Sequence, residues 1–298
     1  MLSNSYTALV TPFTQSNAVD LDALASLVKW HMSVDNSGLV ILGTTGERMS
    51  LSDAEELAVI ETTIKLTEMR ISTIANVGCN NTNASIERAY RAKHLGLAAG
   101  LAVVPYYNFP PKEGIIAHFE ALAAVGLPLI VYHHPKRTGI FLDINTLKTI
   151  CQVPGVCAIK EASGDIAFAT ELIRSIELPV FCGDDPLTMQ MMKAGAFGTI
   201  SVISNLIPEE WSKMIFLALQ NNFQEAEVIF HHYQTLLDAL GLEVNPITVK
   251  YALGLMQKCV PNLRLPLVLP QKATQQQVSS VIEAHYPELI NKRAQLLN

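Results

Sequence analysis

Eight short apolar runs recur along the chain with stretches of helical period between them, and no other feature restricts the possible folds so sharply. They are Tyr6 to Val10, Gly38 to Leu42, Ile71 to Asn76, Leu101 to Val104, Leu129 to Tyr132, Val156 to Lys160, Val180 to Gly183 and Gly198 to Ser201. Their apolar character is nearly continuous, which predicts strands buried on both faces, and in α/β proteins such strands form a parallel sheet flanked by helices. The intervening segments carry helical period. Leu24, Leu27, Val28 and His31 mark one face, and Leu57, Ile60, Ile64 and Leu66 another, opened by a capping box at Ser52 and Glu55. Eight strand–helix units predict an α/β fold, a closed (β/α)8 TIM barrel over residues 1–222, and a single barrel of about 250 residues fits the length of the chain.

From Phe223 onward only helical stretches appear, at Phe223 to Leu240, Pro246 to Lys258 and Ala273 to Leu297. With no Gly/Ser/Pro-rich linker before them, residues 223–298 read as a C-terminal helical extension packed on the barrel. The segment Leu265 to Pro270 is expected to be an ordered connection whose leucines are buried.

Composition removes several function classes. The formal charge is -6 with no basic cluster, which argues against nucleic acid as a partner. No apolar run approaches the roughly 18 residues of a membrane span, and the first ten residues lack signal-peptide organisation, so a cytoplasmic protein without a membrane partner is expected. Five cysteines without a Cys-x-x-Cys spacing signal neither disulfides nor a thiolate metal site.

In a barrel, chemistry gathers at the carboxyl ends of the strands. Standing there are Gly43-Thr44-Thr45-Gly46-Glu47, Pro105-Tyr106-Tyr107-Asn108, Tyr132, Lys160 and Gly183-Asp184-Asp185. Many strands end in lysine merely because the chain is surfacing. Lys160 has a stronger alternative, since a strand-end amine that loses hydration can be neutral near pH 7 and act as a nucleophile. Strand alternation turns Ala158, Lys160 and Ala162 inward and Ile159 and Glu161 toward the helices, which leaves space around the amine and keeps Glu161 from pairing with it. The Gly43 to Gly46 turn exposes backbone N–H groups and two hydroxyls suited to a carboxylate or phosphate. Tyr132 could be an aromatic stopper at the barrel mouth or a phenol that relays protons with Thr44.

These motifs, with Tyr132-His133-His134-Pro135-Lys136-Arg137-Thr138-Gly139, Ile159 to Gly164, Ile200-Ser201-Val202 and Asn245-Pro246-Ile247, make nearly the whole chain resemble the dihydrodipicolinate synthase and N-acetylneuraminate lyase family of Schiff-base aldolases. Thr44-Thr45 and Arg137-Thr138-Gly139 look like its synthase branch. The resemblance implies that Lys160 forms an imine with pyruvate with no separate cofactor and no metal. It also implies that Thr44 and Thr45 hold the pyruvate carboxylate, and that Tyr132, Thr44 and Tyr107 relay protons, Tyr107 coming from a neighbouring subunit of a homotetramer built as a dimer of dimers. Arg137 is expected to receive the carboxylate of L-aspartate 4-semialdehyde, and main-chain groups of Gly183 and Ile200 to line the pocket. Asn80 and Tyr106 match an allosteric pocket of the family, although Arg48, Asp53, Glu56 and Ala84 differ from its lysine-sensitive members. A sibling aldolase acting on a keto-deoxy sugar acid or N-acetylneuraminate is the competing reading. The family pattern breaks at His133-His134, where Asn-Val is usual. Adjacent strand residues point apart, so the two histidines make a poor metal chelate.

Overall fold

A computed structural model describes residues 2, 4–34 and 38–291. Eight parallel strands, β1 (Ser5–Ala8), β2 (Gly38–Ile41), β3 (Ser72–Asn76), β4 (Ala99–Val103), β5 (Leu129–His133), β6 (Val156–Glu161), β7 (Val180–Cys182) and β8 (Gly198–Ser201), close into a barrel in chain order. Closure is made by β1 against β8, with Tyr6 opposite Ile200. All eight expected runs are strands, with ends shifted by at most two residues.

The barrel helices are α1 (Leu21–Ser33), α2 (Asp53–Thr67), α3 (Thr82–His94), α4 (Lys112–Ala123), the short α5 (Pro135–Thr138), α6 (Ile144–Cys151), α7 (Ile166–Ser175), α8 (Thr188–Ala194) and α9 (Pro208–Leu219). On α1 the expected residues Leu24, Leu27, Val28 and His31 are the buried ones. The capping box of α2 is present, but its buried face runs through Glu56, Val59, Ile60, Thr63 and Thr67. Of the four expected there, only Ile60 is fully buried. The stripe is displaced because Glu56 is drawn inward by Arg48, whose Nη1 lies 3.3 Å from its carboxylate.

The two faces of each strand meet different layers. Ile159 joins the core between sheet and helices with Leu129 and Val131, whereas Ala158, Ala162, Ile130 and Tyr132 belong to a separate cluster inside the barrel with Tyr6, Phe181 and Ile200. This alternation, one residue in and one out, is what aims Lys160 into the barrel.

Beyond the barrel follow α10 (Phe223–His232), α11 (Gln234–Leu240), α12 (Ile247–Leu255), α13 (Lys272–His285) and α14 (Pro287–Asn291). The first expected helix is divided at Tyr233, and the last is divided at Tyr286, with its remainder from 292 to 297 outside the described residues. One expectation for the connection fails. Leu265, Val268 and Leu269 are exposed, while the segment is anchored by Arg264, which donates to Glu55, to the Ser50 carbonyl and to the Asn17 carbonyl. Polar side-chain bonds, not leucine burial, tie it down. Among the described residues no helix is long and apolar enough to cross a membrane.

Candidate active site

At the carboxyl ends of the strands the structure opens a cavity of about 530 Å³. Its wall includes Gly43, Thr44 and Thr45 after β2, Tyr132 and Arg137 after β5, Lys160 of β6, Gly183, Asp184 and Asp185 after β7, and Val244 and Asn245 of the extension. Residues from four separate strand ends therefore face one volume, as the barrel geometry requires.

Lys160 is 6% exposed, and burial lowers its pKa from the ordinary lysine range to about 8, with Asp185 opposing the shift and Arg137 adding to it. At pH 7 neutralising such an amine costs about 1.4 kcal/mol, against about 5 kcal/mol for a lysine in water. Its Nζ stands 4.5 Å from the centre of the Tyr132 ring, in register with it across β5 and β6. The close fit depends on Gly183, where a Cβ would lie 2.6 Å from Lys160 Cε. Glu161 faces the other way and does not compete for the amine. Its Oε2 lies 2.6 Å from His133 Nδ1 and its Oε1 accepts the Ser163 N–H at 2.5 Å.

Burial pushes the Tyr132 phenol up to about 12, partly offset by Arg137 and by a hydrogen bond with Thr44. A phenol of that pKa holds its proton at neutral pH, so it can pass one along only through a partner that accepts while it donates, a part the Thr44 hydroxyl can fill. Thr45 Oγ1 accepts from Asn245 Nδ2 at 3.0 Å. Arg137 is exposed at the cavity wall, with one guanidinium nitrogen donating to the Asn245 carbonyl at 3.0 Å. Asp185 Oδ2 accepts the N–H groups of Val202 and Ile203 at 2.9 and 2.8 Å, and burial still raises its pKa.

Thr44, Thr45, Tyr132, Arg137, Lys160 and Gly183 are thus brought together. Four expected residues are not. Ile200 is fully buried inside the barrel and is not one of the residues lining the cavity. Tyr107 is 83% exposed, in the left-handed region at φ 74°, and is absent from the cavity wall. Tyr106 lines a second cavity of about 200 Å³ that shares Thr44, Tyr132 and Arg137 with the first, but Asn80 does not line it. Next to Tyr106 in that wall stands Arg48, paired with Glu56 and donating to the Gly78 carbonyl at 2.9 Å.

The two histidines separate as strand alternation predicts. His133 is buried on the helix side, and its Nε2 accepts the Leu142 N–H at 3.2 Å, which leaves the proton on Nδ1 for Glu161. His134 lines both cavities, its ring 5.6 Å from that of Tyr132, and desolvation with nearby Arg137 and Lys160 lowers its pKa to about 3, so it is a neutral imidazole in the wall.

The part missing from the sequence reading is the wall supplied by the extension, where Leu237, Leu240, Val244 and Asn245 close one side. Asn245-Pro246-Ile247 stood out as a motif but carried no sign of which end of the barrel it would meet.

A profile of the Dihydrodipicolinate synthetase family matches residues 1–285. The 4-hydroxy-tetrahydrodipicolinate synthase of Exiguobacterium sibiricum is 39% identical over 276 residues, covering 92% of this chain and 94% of that protein. The synthase of Methanocaldococcus jannaschii is 36% identical over 269 residues, covering 90% and 93%. Among solved structures, the chloride-inhibited dihydrodipicolinate synthase of Acinetobacter baumannii, complexed with pyruvate, superposes with a TM-score of 0.93 at 35% identity over 95% of this chain and 98% of that one. The dihydrodipicolinate synthase of Aquifex aeolicus gives 0.92 at 33% identity over 94% and 97%. With a lysine enclosed at the end of β6 and matches that run nearly the full length, the chain belongs to the dihydrodipicolinate synthetase family.

Proposed function

We propose that the protein is a 4-hydroxy-tetrahydrodipicolinate synthase, a Schiff-base lyase that condenses pyruvate with L-aspartate 4-semialdehyde in the diaminopimelate route to lysine. The observation that carries this reading is Lys160, an enclosed amine with its pKa lowered to about 8, facing a cavity that also presents a hydroxyl-lined turn and an arginine.

In this reading the Thr44–Thr45 turn receives the pyruvate carboxylate through hydroxyls and backbone N–H groups. The neutral Lys160 amine adds to the pyruvate C2 carbonyl, and loss of water leaves an imine. Tyr132 and Thr44 carry protons to and from the departing oxygen. Loss of a proton from C3 then gives an enamine, whose carbon attacks the aldehyde of the second substrate while Arg137 holds that substrate's carboxylate with its planar fork. The substrate's own amine closes the ring on C2 and displaces Lys160, so the lysine is regenerated and no separate cofactor is needed.

Tyr107 completes the relay only if a second copy presents it. Its exposure and left-handed backbone suit a side chain held out for a neighbouring subunit, and we place the protein as a homotetramer made of two such dimers, acting in the cytoplasm.

The test compares L-aspartate 4-semialdehyde with aldehydes that yield keto-deoxy sugar acids, and pyruvate with N-acetylmannosamine, at saturating pyruvate. Turnover dominated by the semialdehyde supports the reading. A preference for a sugar aldehyde or N-acetylmannosamine moves the protein to a sibling aldolase.

A further inference from the structure

Behind the Thr44–Thr45 turn lies a buried ion pair that takes no part in the reaction as derived. Lys250 of α12 is fully buried. Its Nζ donates to Glu47 Oε1 at 2.6 Å and to the Thr11 carbonyl at 2.9 Å, and stands 4.0 Å from the centre of the Phe13 ring. The second carboxylate oxygen of Glu47 accepts the Arg264 N–H at 3.2 Å. Glu47 directly follows Gly43 to Gly46 and closes that turn, with its own N–H on the Thr44 carbonyl at 3.1 Å. Its backbone lies at φ 50°, a left-handed conformation that a residue with a side chain keeps only where its surroundings enforce it.

A second grip comes from the same segment of the extension, where Asn245 donates to Thr45 Oγ1. Lys250 and Asn245 thus hold one turn at two points, its closing residue Glu47 and its middle residue Thr45. Buried ion pairs seldom stabilise a fold more than apolar packing of the same volume, and their better-attested contribution is to specify one geometry. Here there is also a charge to cancel. Only Thr45 and Gly46 separate Glu47 from Thr44, and an uncompensated carboxylate at that depth would repel an anion bound in the turn.

We infer that Lys250 is a positioning residue for the substrate-carboxylate cradle, its ion pair with Glu47 fixing the Thr44–Thr45 turn and neutralising the anion behind it. This rests on the pyruvate reading of the site. The C-terminal extension then acts in substrate binding from behind the barrel rim as well as from the cavity wall.

Two variants test it, Lys250→Met and the paired Glu47→Gln/Lys250→Met, by the pyruvate concentration that gives half-maximal borohydride trapping, alongside the acceptor KM at saturating pyruvate. The paired variant leaves no orphaned charge and is measured even if Lys250→Met alone does not accumulate folded. It is expected to need roughly threefold or more additional pyruvate, with the acceptor KM within about twofold of wild type. Lys250→Met, with the Glu47 charge unopposed, is expected to need roughly tenfold or more. A paired variant with wild-type pyruvate demand, or one whose acceptor KM moves as far as its pyruvate demand, overturns the inference. Failure of the wild-type protein to trap pyruvate at all would instead sink the reading on which it rests.

Discussion

Replacing Gly183 by alanine puts the packing around Lys160 to a direct test. The added Cβ would lie 2.6 Å from Lys160 Cε, 2.9 Å from its Cγ and 3.0 Å from Ala162 Cβ. Carbon atoms rest about 3.5 to 4.0 Å apart, so the lysine must be displaced by about 1 Å. Gly183 is not in the left-handed region, which leaves this collision as the penalty. Its effect on stability should be modest, about 1 kcal/mol, at the low end for an overpacked site, because the far end of the lysine can yield. Its effect on function should be large. A 1 Å misplacement of a reacting group costs roughly a hundredfold in rate, or about 2.7 kcal/mol of barrier. The assay is the rate of borohydride-trapped adduct formation at saturating pyruvate, with a thermal melt on the same sample. A Gly183→Ala protein that traps pyruvate within roughly twofold of the wild-type rate would refute the claim that the amine's position depends on this glycine.

Trapping should also follow the Lys160 titration. With the pKa at about 8, about one amine in ten is neutral at pH 7, so the trapping rate should climb about tenfold to a plateau near pH 9.5, and a rate still climbing steeply at pH 10 would contradict the burial argument. The sign for stability follows from the same depressed value: between about pH 8 and 10.5 the unfolded chain holds the Lys160 proton and the folded protein does not, so the cost of burying this lysine shrinks as pH rises through that window, measurable by denaturant melts of wild type against Lys160→Met. Arg137→Lys should lower kcat/KM for the acceptor by roughly 10- to 100-fold and leave the pyruvate demand for trapping unchanged, since one ammonium cannot reproduce a two-pronged contact. His133→Leu strips Glu161 of a partner at 2.6 Å in a fully buried setting, and should lower the unfolding free energy by about 2 to 3 kcal/mol in urea while Lys160 still traps pyruvate.

Local pattern carried most of the fold, because burial on both faces leaves its mark within each strand. The inward course of Ala158, Lys160 and Ala162 was legible for the same reason, and so was the outward course of Glu161. What depends on partners distant in sequence was not. The buried face of α2 shifted toward Glu56 because Arg48 and Arg88 meet it there, a contact that no hydrophobic period encodes. Leu265 and Leu269 looked like core residues, yet Arg264 anchors their segment through polar bonds. The contribution of Asn245 from the extension required knowing which rim of the barrel α12 approaches.

Incubation with pyruvate and borohydride, followed by peptide mass spectrometry, tests the central claim most directly. The account predicts one reduced pyruvyl group per chain, on Lys160, lost in Lys160→Met. No adduct, or an adduct on another lysine such as Lys136 at the same rim, would contradict it.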